Sequence, residues 1–274
     1  MRLKGTVWGM LLLAVLLTLP AAARSELYIE AYGGGARGGT LPPPFLEIIT
    51  RHHGLGALEE NRTRGTFRIA PIGGLKLGTW FTREGTLKLD YPEWMKYFGF
   101  YLDFNYHRLN FLRREGGFTL ALADGQKAAA RNNFWSEGTA ATLAFMFAAR
   151  YGFFCDSEVP FGRLQPYVAV GPAIIFASQE VSLTSQALTG QGALAPFTLH
   201  PGSNSDATLA LATELGLRWM ALKNISLDLS FKFRWAHPSF TYQYRDPLDG
   251  TLESFNIKPD YLLFSGQVGV AYHF

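Results

Sequence analysis

A single cysteine among 274 residues cannot form an internal disulfide, so no covalent cross-link holds this chain together. Excess charge of one sign is missing too. Lys and Arg number 25 against 22 Asp and Glu, a net of +3, and the basic residues are scattered among acids. A nucleic-acid surface needs a basic stripe or block, which excludes that partner. Beyond the first 20 residues no run of 18 apolar residues occurs, so no later helix is expected to cross a membrane. Metal-ligand spacing is likewise absent. His52 and His53 are adjacent, the other four histidines are dispersed, and Cys155 stands alone; neither a metal nor a cofactor is expected.

The N-terminus carries an export pattern. Arg2 and Lys4 precede a short apolar run, Val7 to Leu19, which Pro20 breaks before the small residues Ala21, Ala22 and Ala23. That is the layout of a cleaved signal peptide, expected at residues 1–23, with one domain over 24–274.

What the sequence has in quantity is aromatic residues (15%) and glycine (29 residues), and the aromatics alternate with small or charged ones. From 225 to 235, Ile225, Leu227, Leu229, Phe231, Phe233 and Trp235 share one face, and Ser226, Asp228, Ser230, Lys232 and Arg234 share the other. Period two means an extended strand with two unlike faces. The stretch 208–219 repeats the pattern and is joined to it by the short link 221–224, so the two form a hairpin. The same alternation marks 97–107, 142–153, 166–176, 70–81, the residues Leu27 to Tyr32, and 260–274. Pro172 inside one of these suggests a bulge or local break. Eight strands result. Long connections fall at about 35–66, 110–138, 178–207 and 238–259, and shorter ones at about 82–95, 154–165 and 221–224. That alternation of lengths predicts an all-β fold, an eight-stranded antiparallel up-and-down transmembrane barrel with four long outer loops and short periplasmic turns.

Volume and charge decide which face points outward. An eight-stranded interior has room for ordinary side chains only, so it cannot hold dozens of Leu, Phe and Trp. The opposite face supplies acids (Glu30, Asp103, Glu214, Asp228) and bases (Lys76, Arg150, Arg218, Lys232) in near-equal numbers. Inside, these eight can neutralise one another; on the lipid face, each mid-depth Lys or Arg would cost about 2–4 kcal/mol. The prediction is a lumen closed by a structural charge network. Clusters such as Tyr91, Trp94 and Tyr97, or Tyr151, Phe153, Phe154 and Phe161, then mark the membrane interfaces.

The last strand carries the most specific signal. Phe274 ends the sequence, and Tyr272, Val270, Val268, Gly266, Phe264 and Leu262 precede it at alternate positions. This resembles the C-terminal assembly signal of bacterial outer-membrane proteins, and Gln165-Pro166-Tyr167-Val168-Ala169-Val170-Gly171 is similar to a strand of the OmpA-like outer-membrane β-barrel domain family. The resemblance covers roughly 26–274. It implies a Gram-negative outer membrane, surrounding lipid and lipopolysaccharide, the barrel assembly machinery as partner during insertion, and a monomer.

Two motifs are weighed against plainer readings. Gly33-Gly34-Gly35-Ala36-Arg37-Gly38 fits a glycine-rich phosphate loop, but the Pro42-Pro43-Pro44 that follows cannot open a helix, so the reading is a strand end entering a loop. His237 and Ser239, with Glu253 farther on, resemble the His-x-Ser pair and Glu of lipid A deacylases, in which the His deprotonates the Ser; here Pro238 intervenes and Glu253 is off that family's spacing. The function expected is therefore non-enzymatic, in envelope integrity or surface interaction through the outer loops. The alternatives are a lipid A-modifying enzyme using His237 and Ser239, or a narrow conduit for small or apolar solutes. Phe45 to Ile49 and Phe134-Trp135 are candidate contact residues in those loops.

Overall fold

The computed structural model describes residues 26–41, 57–60, 65–66, 68–81, 91–121, 127–189, 192–193, 197–245 and 252–274. The signal segment and its cleavage position, Phe45 to Ile49, His52 and His53 lie outside them, as does the side chain of Glu253. No helix among the described residues is long and apolar enough to cross a membrane.

Eight strands make the wall: β1 (Glu26–Leu41), β2 (Ala70–Trp80), β3 (Phe98–Arg108), β4 (Lys127–Arg150), β5 (Leu164–Thr189), β6 (Ser203–Leu222), β7 (Ile225–Ala236) and β8 (Asp260–His273). Each pairs antiparallel with the next. The ring closes where β8 pairs with β1, from Tyr28 opposite His273 to Gly38 opposite Leu263. Phe274 donates its backbone N–H to the Leu27 carbonyl at 2.9 Å. Closure leaves no free edge among these eight strands, the condition for crossing hydrocarbon.

The alternation read from the sequence sets the two faces. Leu229 is 60% exposed, Leu215 61%, Val268 61% and Phe147 63%, while Lys76, Asp103, Glu214 and Lys232, on the opposite faces of these or neighbouring strands, are buried. A water-soluble surface does not carry an apolar band right round its girth. The chain is a barrel with a lipid-facing exterior and a polar core. Paired aromatics fringe its inner end, with Tyr97 stacked on Tyr151 at 5.8 Å and Tyr272 edge-on to Phe274 at 5.2 Å.

Several strands outrun their sequence signal. β4 has 24 residues, β5 has 26 and β6 has 20, whereas a tilted membrane strand needs about 9–11. Much of what reads as the loops 110–138 and 178–207 is therefore wall. Phe111–Ala121 adds a further strand to β4, and Phe197–Leu199 adds one to β5, so a β-lobe stands on the outer end. The glycine run is also wall: β1 stays paired through Gly38, with an irregularity between Gly38 and Thr40. The physical reason is common to these cases. Alternating polarity is imposed only where one face meets lipid, but backbone pairing continues into water without it. At the other end Phe81 falls just outside β2, and Tyr151 and Phe153 outside β4.

Pro172 does break the ladder locally. Pairing of β4 with β5 lapses between Ala144–Ala173 and Phe147–Val170 and resumes without a register shift, so there is no bulge. Here Gly171 is obligatory: a Cβ would lie 1.8 Å from the Phe145 carbonyl oxygen, a backbone atom that cannot rotate away. Gly171→Ala is expected to lower barrel stability by about 1–3 kcal/mol through this overpacking. The urea midpoint of the refolded protein in micelles reads it, and an unchanged midpoint would mean the wall yields there freely.

Candidate functional site

The interior is filled in layers, and strand register explains the central one. Glu30 on β1 lies directly opposite Lys76 on β2, and Lys76 opposite Asp103 on β3. Across the lumen, Glu214 faces Lys232 and Arg218 faces Asp228 in the β6–β7 pair. Acid and base thus alternate around the wall, and the side chains meet across the axis. Lys76 Nζ lies 2.7 Å from Glu30 and 2.8 Å from Glu214. Arg218 reaches Glu30 at 2.8 Å and Asp228 at 3.3 Å. Lys232 reaches Asp103 at 2.6 Å and Glu214 at 3.6 Å. Seven of the eight predicted network residues meet in this layer.

The eighth does not. Arg150 sits at the inner end, forming a two-pronged pair with Glu26, bonding Gln165 at 2.9 Å, and stacking on Trp80 and Phe161 at 4.2 and 4.0 Å. Its position at the last residue of β4 places it several residues from the central layer. Glu26 is missing from the predicted network because the alternation is read only from Leu27 onward, whereas the strand begins one residue earlier.

Four tyrosines also went unread as network members. Tyr101 and Tyr167 donate to Glu214 at 2.6 and 2.7 Å, and Tyr32 donates to Asp103. Tyr28 lies under Arg218, 4.3 Å from ring centre to guanidinium. All four occur on the lumen faces in the sequence. The usable signal was glycine on the adjoining strand: Tyr32 lies opposite Gly74 and Tyr167 opposite Gly216, and a Cβ at either glycine would sit within 2.5 Å of the ring.

Above the network lies a sparser polar layer. Arg234 donates to Asn105 at 2.6 Å and to Ser265 at 2.9 Å. Asn105 Nδ2, both ring nitrogens of His107, Thr142 Oγ1 and Arg234 Nε are buried without a protein partner, and each such group costs about 1–3 kcal/mol.

The outermost layer is apolar and supplies the largest departure from expectation. Within 238–259, read as a loop, the strand Phe240–Arg245 pairs antiparallel with Leu252–Ile257 as a hairpin. Phe240, Tyr242, Phe255 and Ile257 are buried among Ala140, Ile175, Ala177, Val181, Tyr261 and Leu263. Tyr242 donates to the Gln179 carbonyl at 2.9 Å. The lumen is thus closed by an apolar hairpin as well as by charges. Phe134 belongs to the same cluster, so it is a wall residue facing inward and no loop contact.

His237 and Ser239 do not form a relay. The His237 ring faces Asp260 at 3.6 Å and Trp235 at 5.0 Å, while the Ser239 hydroxyl bonds Asn256 at 3.1 Å. No cluster of three or more His, Cys, Asp or Glu side chains with metal-holding geometry occurs among the described residues. Cys155 is exposed in the turn between β4 and β5.

No protein-family model and no curated protein sequence matches the chain. Solved outer-membrane barrels are similar to it. A major outer membrane protein from Thermus thermophilus is 13% identical, with 92% of this chain and 100% of that one covered and a TM-score of 0.46. The outer membrane protein OprG from Pseudomonas aeruginosa is 12% identical over 92% of this chain and 98% of its own, at a TM-score of 0.39. The outer membrane protease OmpT from Escherichia coli is 9% identical over 94% and 99%, also at 0.39.

Proposed function

We propose that the chain resides in the bacterial outer membrane as a sealed, non-catalytic barrel whose outer β-lobe serves envelope integrity or contact at the cell surface. The observation that carries this is the filled lumen. A salt-bridged layer spans the middle, and an apolar hairpin closes the outer mouth. An eight-stranded interior is narrow, and one occupied in this way favours the sealed barrel over the conduit. The separate partners of His237 and Ser239 favour the non-catalytic reading over the deacylase. What remains for interaction is the lobe raised by β4, β5 and the strand Phe111–Ala121. Export through a signal peptide at residues 1–23 and assembly signalled by Phe274, Tyr272, Val270 and Val268 belong to the same proposal.

A strain lacking the chain tests it. Heightened sensitivity to detergent and bulky antibiotics, reversed by the intact gene, is the expected result, together with an absence of discrete current steps from the purified protein in planar bilayers. Unaltered sensitivity and unaltered surface adhesion, or regular channel steps, would overturn the proposal.

A further inference from the structure

Among the described residues Arg234 differs from every other buried lysine or arginine of the lumen. Lys76, Arg150, Arg218 and Lys232 each face a carboxylate within 4.0 Å. Among the described residues Arg234, 1% exposed, faces none; its two bonds go to the neutral Asn105 and Ser265. Asp103, one layer inward, is engaged by Lys232 and Tyr32. A buried guanidinium without an anion is costly, and its planar fork is shaped for a carboxylate.

The groups without partners gather around it. Thr142 pairs in register with Asn105, which Arg234 holds across the lumen, and His107 is the next lumen-facing residue outward on β3. Arg234 Nε, Asn105 Nδ2, a ring N–H of His107 and the Thr142 hydroxyl are therefore donors in one layer, all buried and unpartnered. A carboxylate offers about four acceptor sites. Directly outward the lining becomes hydrocarbon: Ala140 lies opposite His107, Leu263 opposite Arg234, and Leu109 and Ala236 follow one step out.

That apolar room is filled by the hairpin, whose two strands pair with each other and with no stave of the wall. It is held by side-chain contacts, such as Tyr242 to the Gln179 carbonyl, and by the Ser239 N–H on Asp206 at 2.8 Å. Its withdrawal breaks no rung of the barrel.

We propose that Arg234, Asn105, His107 and Thr142 form the head-group site for a monocarboxylate with an apolar tail, the tail replacing the hairpin side chains Phe240 and Ile257. This goes beyond the surface role proposed above and does not depend on it. The two halves of the site select for both halves of the ligand. A bare anion uses only the donors, and a neutral alcohol only the hydrocarbon wall.

The test uses the full barrel in lipid nanodiscs, with carboxyl-labelled octanoate followed by NMR and empty nanodiscs as the blank. Saturable binding of one octanoate per barrel is expected, with octanol and acetate each at least ten-fold weaker. Arg234→Gln should weaken octanoate at least ten-fold. Should that variant not fold, the His107 ring-nitrogen signals of the unaltered protein, assigned by their loss in His107→Gln, are expected to shift on octanoate addition and not on octanol addition. Binding no greater than to empty nanodiscs, octanol or acetate binding as tightly as octanoate, unchanged affinity in Arg234→Gln, or unmoved His107 signals would each overturn the site.

Discussion

Leu229→Arg is expected to block membrane assembly, whereas Ser230→Ala, one residue along, is tolerated. Leu229 lies mid-strand on β7, opposite Leu217 of β6 and Val268 of β8, and faces outward. An arginine there meets hydrocarbon, with several residues of wall between it and either headgroup layer. At mid-depth the cost is about 2–4 kcal/mol. Ser230 points the other way and is 5% exposed; losing its hydroxyl removes no ion pair. Heat-modifiable gel mobility and protease accessibility in cells measure folding and insertion. Equal behaviour of the two variants would undo the assignment of faces on which the membrane reading stands.

Glu214→Gln is expected to destabilise the folded barrel by about 1–3 kcal/mol, the usual effect of weakening a buried charged acceptor whose donors keep other partners. The change keeps shape and leaves no cavity. What it removes is the single negative charge between two ammonium groups, Lys76 at 2.8 Å and Lys232 at 3.6 Å. Tyr101 and Tyr167 also lose an ionised acceptor, and bonds to a charged acceptor are worth more than neutral ones. Lys76 keeps Glu30 and Lys232 keeps Asp103, so the layer weakens rather than inverts. The urea midpoint of the refolded protein measures the loss. A midpoint equal to that of the unaltered chain would mean the layer contributes nothing to holding the lumen shut.

The residues whose faces were legible are those that lie in lipid. From 98 to 107 and from 225 to 236, every assignment of inside and outside reads directly from alternation, because each successive side chain must choose between hydrocarbon and the core. His107, expected inside near the outer end, is there at 2% exposure. Past the lipid that choice lapses, and so does the signal. Hence β5 continues to Thr189 through what reads as loop, and the hairpin Phe240–Ile257 hides in a stretch with no partner nearby in sequence.

The sequence by itself determined eight alternating segments, the sidedness of each, and a balanced set of lumen charges. These follow from the period-two geometry of a strand, which is local. Only the tertiary structure decided which charges meet. Register is a relation between strands far apart in the chain, so Arg150 found Glu26 and left the central layer, while Arg234 found no acid at all. The same closure folded the last long connection into the mouth, since its apolar side chains are buried only against a wall that other strands complete.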